Sequence, residues 1–175
     1  MAILSIILAP DPVLKRRCLP VEKIDRGIRR LMDDMLETMY EAPGVGLAAP
    51  QIAVHKRIIV ADISDLAHDR RAPLQMVNPE IIDASDEILL REEGCLSFPE
   101  HYADVQRPAS LRVRYLDRDN EIQEIDAEGL LSVCIQHEMD HLDGVLFVDH
   151  LSSLKRGIIL RKMSKLKRAE ATPGR

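Results

Sequence analysis

The chain opens on an apolar run, Ala2-Ile3-Leu4-Ser5-Ile6-Ile7-Leu8, that reads as a first strand. Asp11-Pro12 and Leu19-Pro20 then punctuate an irregular segment, because proline supplies no backbone donor to continue a regular element. From Asp25 the apolar positions Ile28, Leu31, Met32, Met35, Leu36 and Met39 recur at helical spacing, predicting a helix of about four turns that Pro43-Gly44 ends. Arg57-Ile58-Ile59-Val60-Ala61 reads as a buried strand, apolar without interruption from Ile58. A polar loop around 64–72 follows, then strand over 74–77 up to Asn78-Pro79, and further strand over 81–90. Residues 111–115 alternate with period two, Asp117-Arg118-Asp119-Asn120 makes a turn, and 121–126 returns, which predicts a hairpin.

Over 128–142 the positions Leu130, Leu131, Val133, Cys134, Ile135 and Met139 describe a largely buried helix with Gly144 just past its end. A last amphipathic helix over about 151–167 sets Leu151, Leu154, Ile158, Met163 and Leu166 against a basic face. Strands mostly precede the buried helix and favour antiparallel pairing. The expected class is therefore α+β: mostly antiparallel sheets packed around a central helix, with an N-terminal helix and a C-terminal amphipathic one.

Size and charge refine this picture. At 175 residues the chain is one domain, and a 3% aromatic share without Trp excludes the stacking platforms that single-stranded nucleic acid requires. Residues 151–175 hold eight Lys and Arg against one acid, a charge of +7, so the first 150 residues carry −12 of the net −5. Residues 1–150 are expected to be a single catalytic domain, and 151–175 a basic helix and tail with a partner that the acidic body does not share. No stretch approaches the ~20 apolar residues of a membrane span, and the N-terminal run lacks a basic region and a cleavage site. Three cysteines at unrelated positions, Cys18, Cys95 and Cys134, fit a reducing, cytoplasmic compartment better than a disulfide framework.

The strongest local signal is His137-Glu138-Met139-Asp140-His141. On a helix, residues four apart lie one turn apart on one face, so both imidazoles reach one metal and Glu138 can handle the proton of an attacking water. Two histidines and a glutamate are costly in so apolar a helix without a metal or partners. A catalytic site also needs a third ligand. An astacin-like zincin would place a histidine where Phe147 stands, and a thermolysin-like one would need a downstream Glu, for which only Glu170 in the basic tail is available. A thiolate remains. Cys134 shares the face of His137 but sits about a turn too far along, which makes it pocket lining or core. Cys95, in Glu92-Glu93-Gly94-Cys95-Leu96-Ser97 at the end of a strand-like run, is better placed; Cys18 reads as a buried structural thiol.

Three segments, Gly44-Val45-Gly46-Leu47-Ala48-Ala49-Pro50-Gln51, Glu93-Gly94-Cys95-Leu96-Ser97 and Gln136-His137-Glu138-Met139-Asp140-His141, resemble in order and spacing the three signature motifs of peptide deformylase. The resemblance extends over nearly the whole chain. It implies a metal-dependent hydrolase that removes the formyl group from the N-terminal formylmethionine of nascent polypeptides and releases formate. It implies one divalent metal held by Cys95, His137 and His141, characteristically Fe2+, with Ni2+, Co2+ or Zn2+ able to substitute. The donor set by itself would suggest zinc. It assigns Glu138 to proton transfer, and the Gln51 side-chain amide and the Leu96 backbone N–H to stabilising the charge that develops on the formyl oxygen.

Leu130, Val133 and Cys134 lie one and two turns before His137 and are expected to line an apolar pocket for the methionine side chain, with Val45 as the opposite wall. Gly46 and Gly94 would let the substrate backbone pair as an added strand. Two positions depart from the family: Tyr102 stands where several members have an arginine, and Arg91 where they have an apolar pocket residue. The basic C-terminal helix resembles the element by which bacterial deformylases dock on the ribosome. The partners expected are N-formylmethionyl peptides and the ribosome, with no membrane and no sequence-specific nucleic acid. The competing classes are an endopeptidase, which would show a His or carboxylate third ligand, and a ribosome-bound factor with a vestigial site.

Overall fold

The computed structural model describes residues 2–64 and 71–171. Helix α1 spans Arg26–Glu41, and Asp25 caps it by accepting the N–H of Ile28. Strands β1 (Gly46–Ala48), β2 (Ile58–Ala61) and β3 (Leu74–Ala84) follow, then β4 (Ile88–Cys95), β5 (Phe98–Pro108), β6 (Ser110–Leu116) and β7 (Ile122–Glu128). Helix α2 covers Gly129–Leu142 and helix α3 Ser153–Ala171. A five-stranded antiparallel sheet has the order β1-β2-β3-β6-β7, and β4 pairs with β5 in a separate hairpin.

Period-two alternation on β2 explains why its run is apolar throughout. Ile58 and Val60 face α1 and meet Met32, Met35 and Met39, whereas Ile59 faces the other way, into a cluster with Met76, Val113 and the α2 residues Ile135 and Leu142. Helix α2 therefore lies between the large sheet and the β4–β5 hairpin. Gly144 ends it at φ +74, where an added Cβ would stand 2.3 Å from the Lys15 carbonyl oxygen, so the position accepts only glycine. A third cluster, with Phe98, Val105, Phe147 and Met163, ties the hairpin to α3.

Four expectations need correction. The first strand is absent: residues 2–8 pair in no sheet, and N–H groups of this segment are spent elsewhere, Ala2 on Asp34 Oδ1, Leu4 on Thr38 Oγ1, Ile7 on the Gln51 carbonyl and Ala9 on that of Ser97. Asn78-Pro79 does not end a strand. Asn78 takes φ +50 and the ladder slips register between Val77 and Glu80, so β3 continues through a bulge and the break falls at residues 85–87. Strand β5 was not anticipated, because its outward positions Glu100, Tyr102, Asp104 and Gln106 are exposed and its inward ones include Arg107. On α3 it is Ile159, Leu160 and Met163 that pack inward, while Leu154 is 71% exposed and Ile158 and Leu166 are exposed beside it. Of the polar loop expected over 64–72, positions 65–70 lie outside the described residues, as does Arg175 of the basic tail.

Candidate metal centre

Cys95 ends β4, and His137 and His141 sit one turn apart on α2. Their ligand atoms lie within 4.8 Å of one another, with Cys95 Sγ 3.3 Å from His141 Nε2. The helix brings the imidazoles to one point and the hairpin delivers the thiol to it, so the three ligands expected from the sequence converge. Phe147, which occupies the place of a third zincin histidine, instead stacks beside the His137 ring with centroids 6.1 Å apart.

His137 is oriented from behind. Its Nδ1 lies 2.9 Å from Glu93 Oε2, and since a carboxylate only accepts, Nδ1–H donates and Nε2 keeps its lone pair for a ligand. Arg107 grips Glu93 with both Nε (2.5 Å) and Nη2 (3.0 Å) and reaches Asp140 Oδ2 with Nη1 at 2.9 Å. His150 Nε2 approaches the same Asp140 oxygen at 2.8 Å. Burial alone would raise the Glu93 carboxyl; the hydrogen bonds from His137 and Arg107 hold it down at about 2. Sequence reasoning missed Arg107 because β5 was missed, and it gave Asp140, within the helix motif, no role because its partner Arg107 was not in view. The available signal was a charged side chain on the inward phase of a period-two pattern.

The field at the three ligands favours positive charge. Burial opposes a charge on His137, yet its hydrogen bonds with Cys95 and Glu93 more than offset that and hold its proton well above the ordinary range. His141, buried and facing that charge, is pushed well below it. A thiol and two imidazoles with their ligand atoms within 4.8 Å of one another are a donor set that a divalent cation takes. Glu138 fits the same reading. It is buried, its Oε2 has no hydrogen-bond partner among the described residues, and burial pushes its carboxyl up to about 7 against the field of His137. These residues fit a divalent metal.

Gln51 is buried and locked. Its Oε1 accepts the Ala48 N–H at 2.8 Å, which leaves Nε2 to face Cys95 Sγ at 3.6 Å and Ser97 Oγ at 3.1 Å. A cavity of about 550 Å³ opens beside these groups, lined among others by Val45, Gly46, Gly94, Leu96, Tyr102 and Glu138. At Gly46 an added Cβ would stand 2.4 Å from Glu138 Oε1 and 2.9 Å from Cys134 Sγ, so the backbone passes these side chains too closely for any residue but glycine. Leu130, Val133 and Cys134 are not on this lining. Val133 and Cys134 are buried, and Cys134 Sγ points at the Val45 carbonyl, 3.4 Å away. Arg91 is exposed on β4, and Tyr102 lies over Gly94 at the cavity rim, 64% exposed.

The family model for polypeptide deformylase matches residues 3–157. The peptide deformylase of Phenylobacterium zucineum is 57% identical over 165 residues, 94% of this chain and 97% of that protein. A crystal structure of peptide deformylase from Ehrlichia chaffeensis superposes with a TM-score of 0.92 at 40% identity, covering 98% of this chain and 100% of that one. A second structure from that organism, in complex with actinonin, gives 0.91 at 42% identity, covering 96% and 99%.

Proposed function

The chain belongs to the polypeptide deformylase family, metal-dependent hydrolases that remove the N-formyl group from the formylmethionine of nascent polypeptides and release formate, and from that premise we propose which of its residues do the work. Cys95 Sγ and one nitrogen each of His137 and His141 hold the metal, and Fe2+ is the ion proposed for the cell, with Ni2+, Co2+ or Zn2+ as substitutes. When bound, a divalent ion brings the pKa of water towards about 7 and polarises the formyl carbonyl.

Glu138 takes a proton from the attacking water and delivers it to the departing amine. Its support is position: a buried carboxylate oxygen without a partner among the described residues, at the cavity wall and next in sequence to a ligand. Negative charge develops on the formyl oxygen. Gln51 Nε2, fixed by the bond from Ala48 to its Oε1, and the Leu96 N–H stabilise it; one such donor is typically worth ~3 kcal/mol. Val45, Gly46 and Gly94 border the cavity where the peptide backbone pairs, and Leu130, Val133 and Cys134 back the methionine side chain from α2. Actinonin, found in the Ehrlichia chaffeensis structure, is expected to occupy the same cavity.

Residues 1–150 constitute the catalytic domain in this reading, and α3 with the tail docks on the ribosome, which places the protein in the cytoplasm. No helix among the described residues is long and apolar enough to cross a membrane. Exposed Arg161, Lys162 and Lys165 support the docking role, and their replacement by Glu should weaken ribosome binding while small-peptide turnover persists. The observation that carries the catalytic assignment is the convergence of Cys95, His137 and His141 beside Glu138. Its test is formate release from an N-formylmethionyl peptide by metal-loaded protein, lost in Glu138→Gln; full turnover by that variant would sink it.

A further inference from the structure

A second groove of about 330 Å³ lies between the β4–β5 hairpin and α3, lined by Leu151, Ile158 and Ile159 on one side and Glu92, Tyr102 and Asp104 on the other. Tyr102 lines both this groove and the metal-site cavity. One ring therefore forms the ridge between them, and a chain leaving the metal site over Tyr102 enters the groove. We propose that this groove is a downstream subsite of the enzyme, receiving the fourth and later residues of the formylated polypeptide and favouring basic and apolar side chains there. The proposal rests on the deformylase reading and extends it beyond the reacting end of the substrate.

Reach supports the assignment. Glu92 and Asp104 pair in register two residues along the hairpin from the Gly94–Tyr102 pair, and three residues along β4 from Cys95, about 10 Å at strand spacing. An extended substrate with its formylmethionine at Cys95 covers that distance in about three further residues.

Charge supports it independently. Glu92 and Asp104 stand directly opposite each other on the exposed face of the hairpin, a like-charge cross-strand pair that costs stability. Neither carboxylate makes an ion pair among the described residues, although Lys155 lines the same groove. Glu100 adds a further carboxylate at the cavity end of the path, and among the described residues no Lys or Arg lines the cavity. The path from the metal site thus presents three carboxylates, Glu92, Asp104 and Glu100, against one cation, Lys155, above an apolar floor on which Ile158 is exposed. Lysine and arginine side chains satisfy both features, with aliphatic stems on the floor and charged heads at the carboxylates.

The test uses the full-length metal-loaded enzyme and three substrates: formyl-Met-Ala, a formyl-Met nonapeptide with Lys and Leu at positions four to seven, and the same nonapeptide with Glu in place of Lys. The expected kcat/KM for the Lys nonapeptide exceeds that for the other two by about tenfold, carried by KM. The surface double variant E92Q/D104N should bring the Lys and Glu nonapeptides within about twofold, and the neutral polar replacement Ile158→Ser should reduce the advantage of length, both with formyl-Met-Ala kinetics unchanged. Equal kcat/KM for all three substrates in the unmodified enzyme, or a Lys preference that survives E92Q/D104N, would overturn the subsite. Absence of formate from formyl-Met-Ala would overturn instead the reading on which it rests.

Discussion

Glu93 accepts the Nδ1–H of His137 at 2.9 Å while both of its oxygens are held by Arg107. A buried carboxylate in this position fixes the tautomer and the ring plane of a metal-binding imidazole and raises its basicity. Glu93→Gln keeps the shape but loses the charge. It is expected to weaken metal binding 10- to 100-fold, read by competition with a chelator, with the fold retained. Arg107→Met leaves the Glu93 charge buried beside Asp140 without its cation and should cost about 3–5 kcal/mol in denaturant unfolding. Wild-type metal retention in Glu93→Gln would show that the contact is structural only.

Gly46 has no room for a side chain against Glu138. Gly46→Ala must push Glu138 or the β1 wall away from the metal ligands, at an expected cost of about 1–3 kcal/mol in stability. The larger effect falls on turnover, about 100-fold or more in kcat, since misplacing a reacting group by about 1 Å has that consequence. Steady-state kinetics beside a thermal melt separate the two. A variant that is as active as its parent would show that Glu138 need not stand where the structure puts it.

The three thiols should react very differently. Cys95 is half-buried on the cavity lining, whereas Cys18 and Cys134 are buried and burial pushes the Cys18 thiol up to about 11. In metal-free folded protein at pH 8, iodoacetamide is expected to modify Cys95 alone, and metal loading should protect it; peptide mass spectrometry gives the sites. Modification of Cys18 or Cys134 at the rate of Cys95 would contradict the packing described.

Tyr40 donates its hydroxyl to Asp62 Oδ2 at 2.6 Å, and Asp62 in turn donates its N–H to the Val45 carbonyl at the cavity wall. Burial, reinforced by the Asp62 hydrogen bond, moves the Tyr40 hydroxyl from 10 up to about 12. A folded-state value above the unfolded one means that the contribution to stability is complete below pH 10 and is lost as pH rises from 10 to about 12. Tyr40→Phe should therefore be less stable than its parent by about 0.5–1.5 kcal/mol at pH 8, and the gap should close over that alkaline window. A gap unchanged at pH 12 would rule out the hydrogen bond as its source.

Helices α1 and α2 and the β6–β7 hairpin were legible because their apolar positions coincide with burial, as on α1, where Ile28, Met32, Met35 and Met39 are all inward. Residues 2–8 misled because an apolar stretch says nothing about where its N–H groups go; Asp34 and Thr38, remote in sequence, accept two of them. Strand β5 was hidden by an inward arginine that is intelligible only once Glu93 and Asp140 are seen around it. Of the site, spacing within one helix was enough for His137, Glu138 and His141. Cys95 needed the fold to bring it to them, since β4 and α2 are separated in the chain by the three strands β5, β6 and β7. The groove at α3 was not legible at all, because it depends on a rotation of that helix about its axis that leaves Ile158 outward.

The central claim is that Cys95, His137 and His141 hold the metal at which formate is released. X-ray absorption at the nickel edge of active nickel-loaded enzyme tests it most directly. The expected result is one sulfur scatterer at about 2.3 Å with nitrogen or oxygen neighbours, and loss of the sulfur together with activity in Cys95→Ser. A first shell of nitrogen and oxygen alone in fully active enzyme would contradict the account.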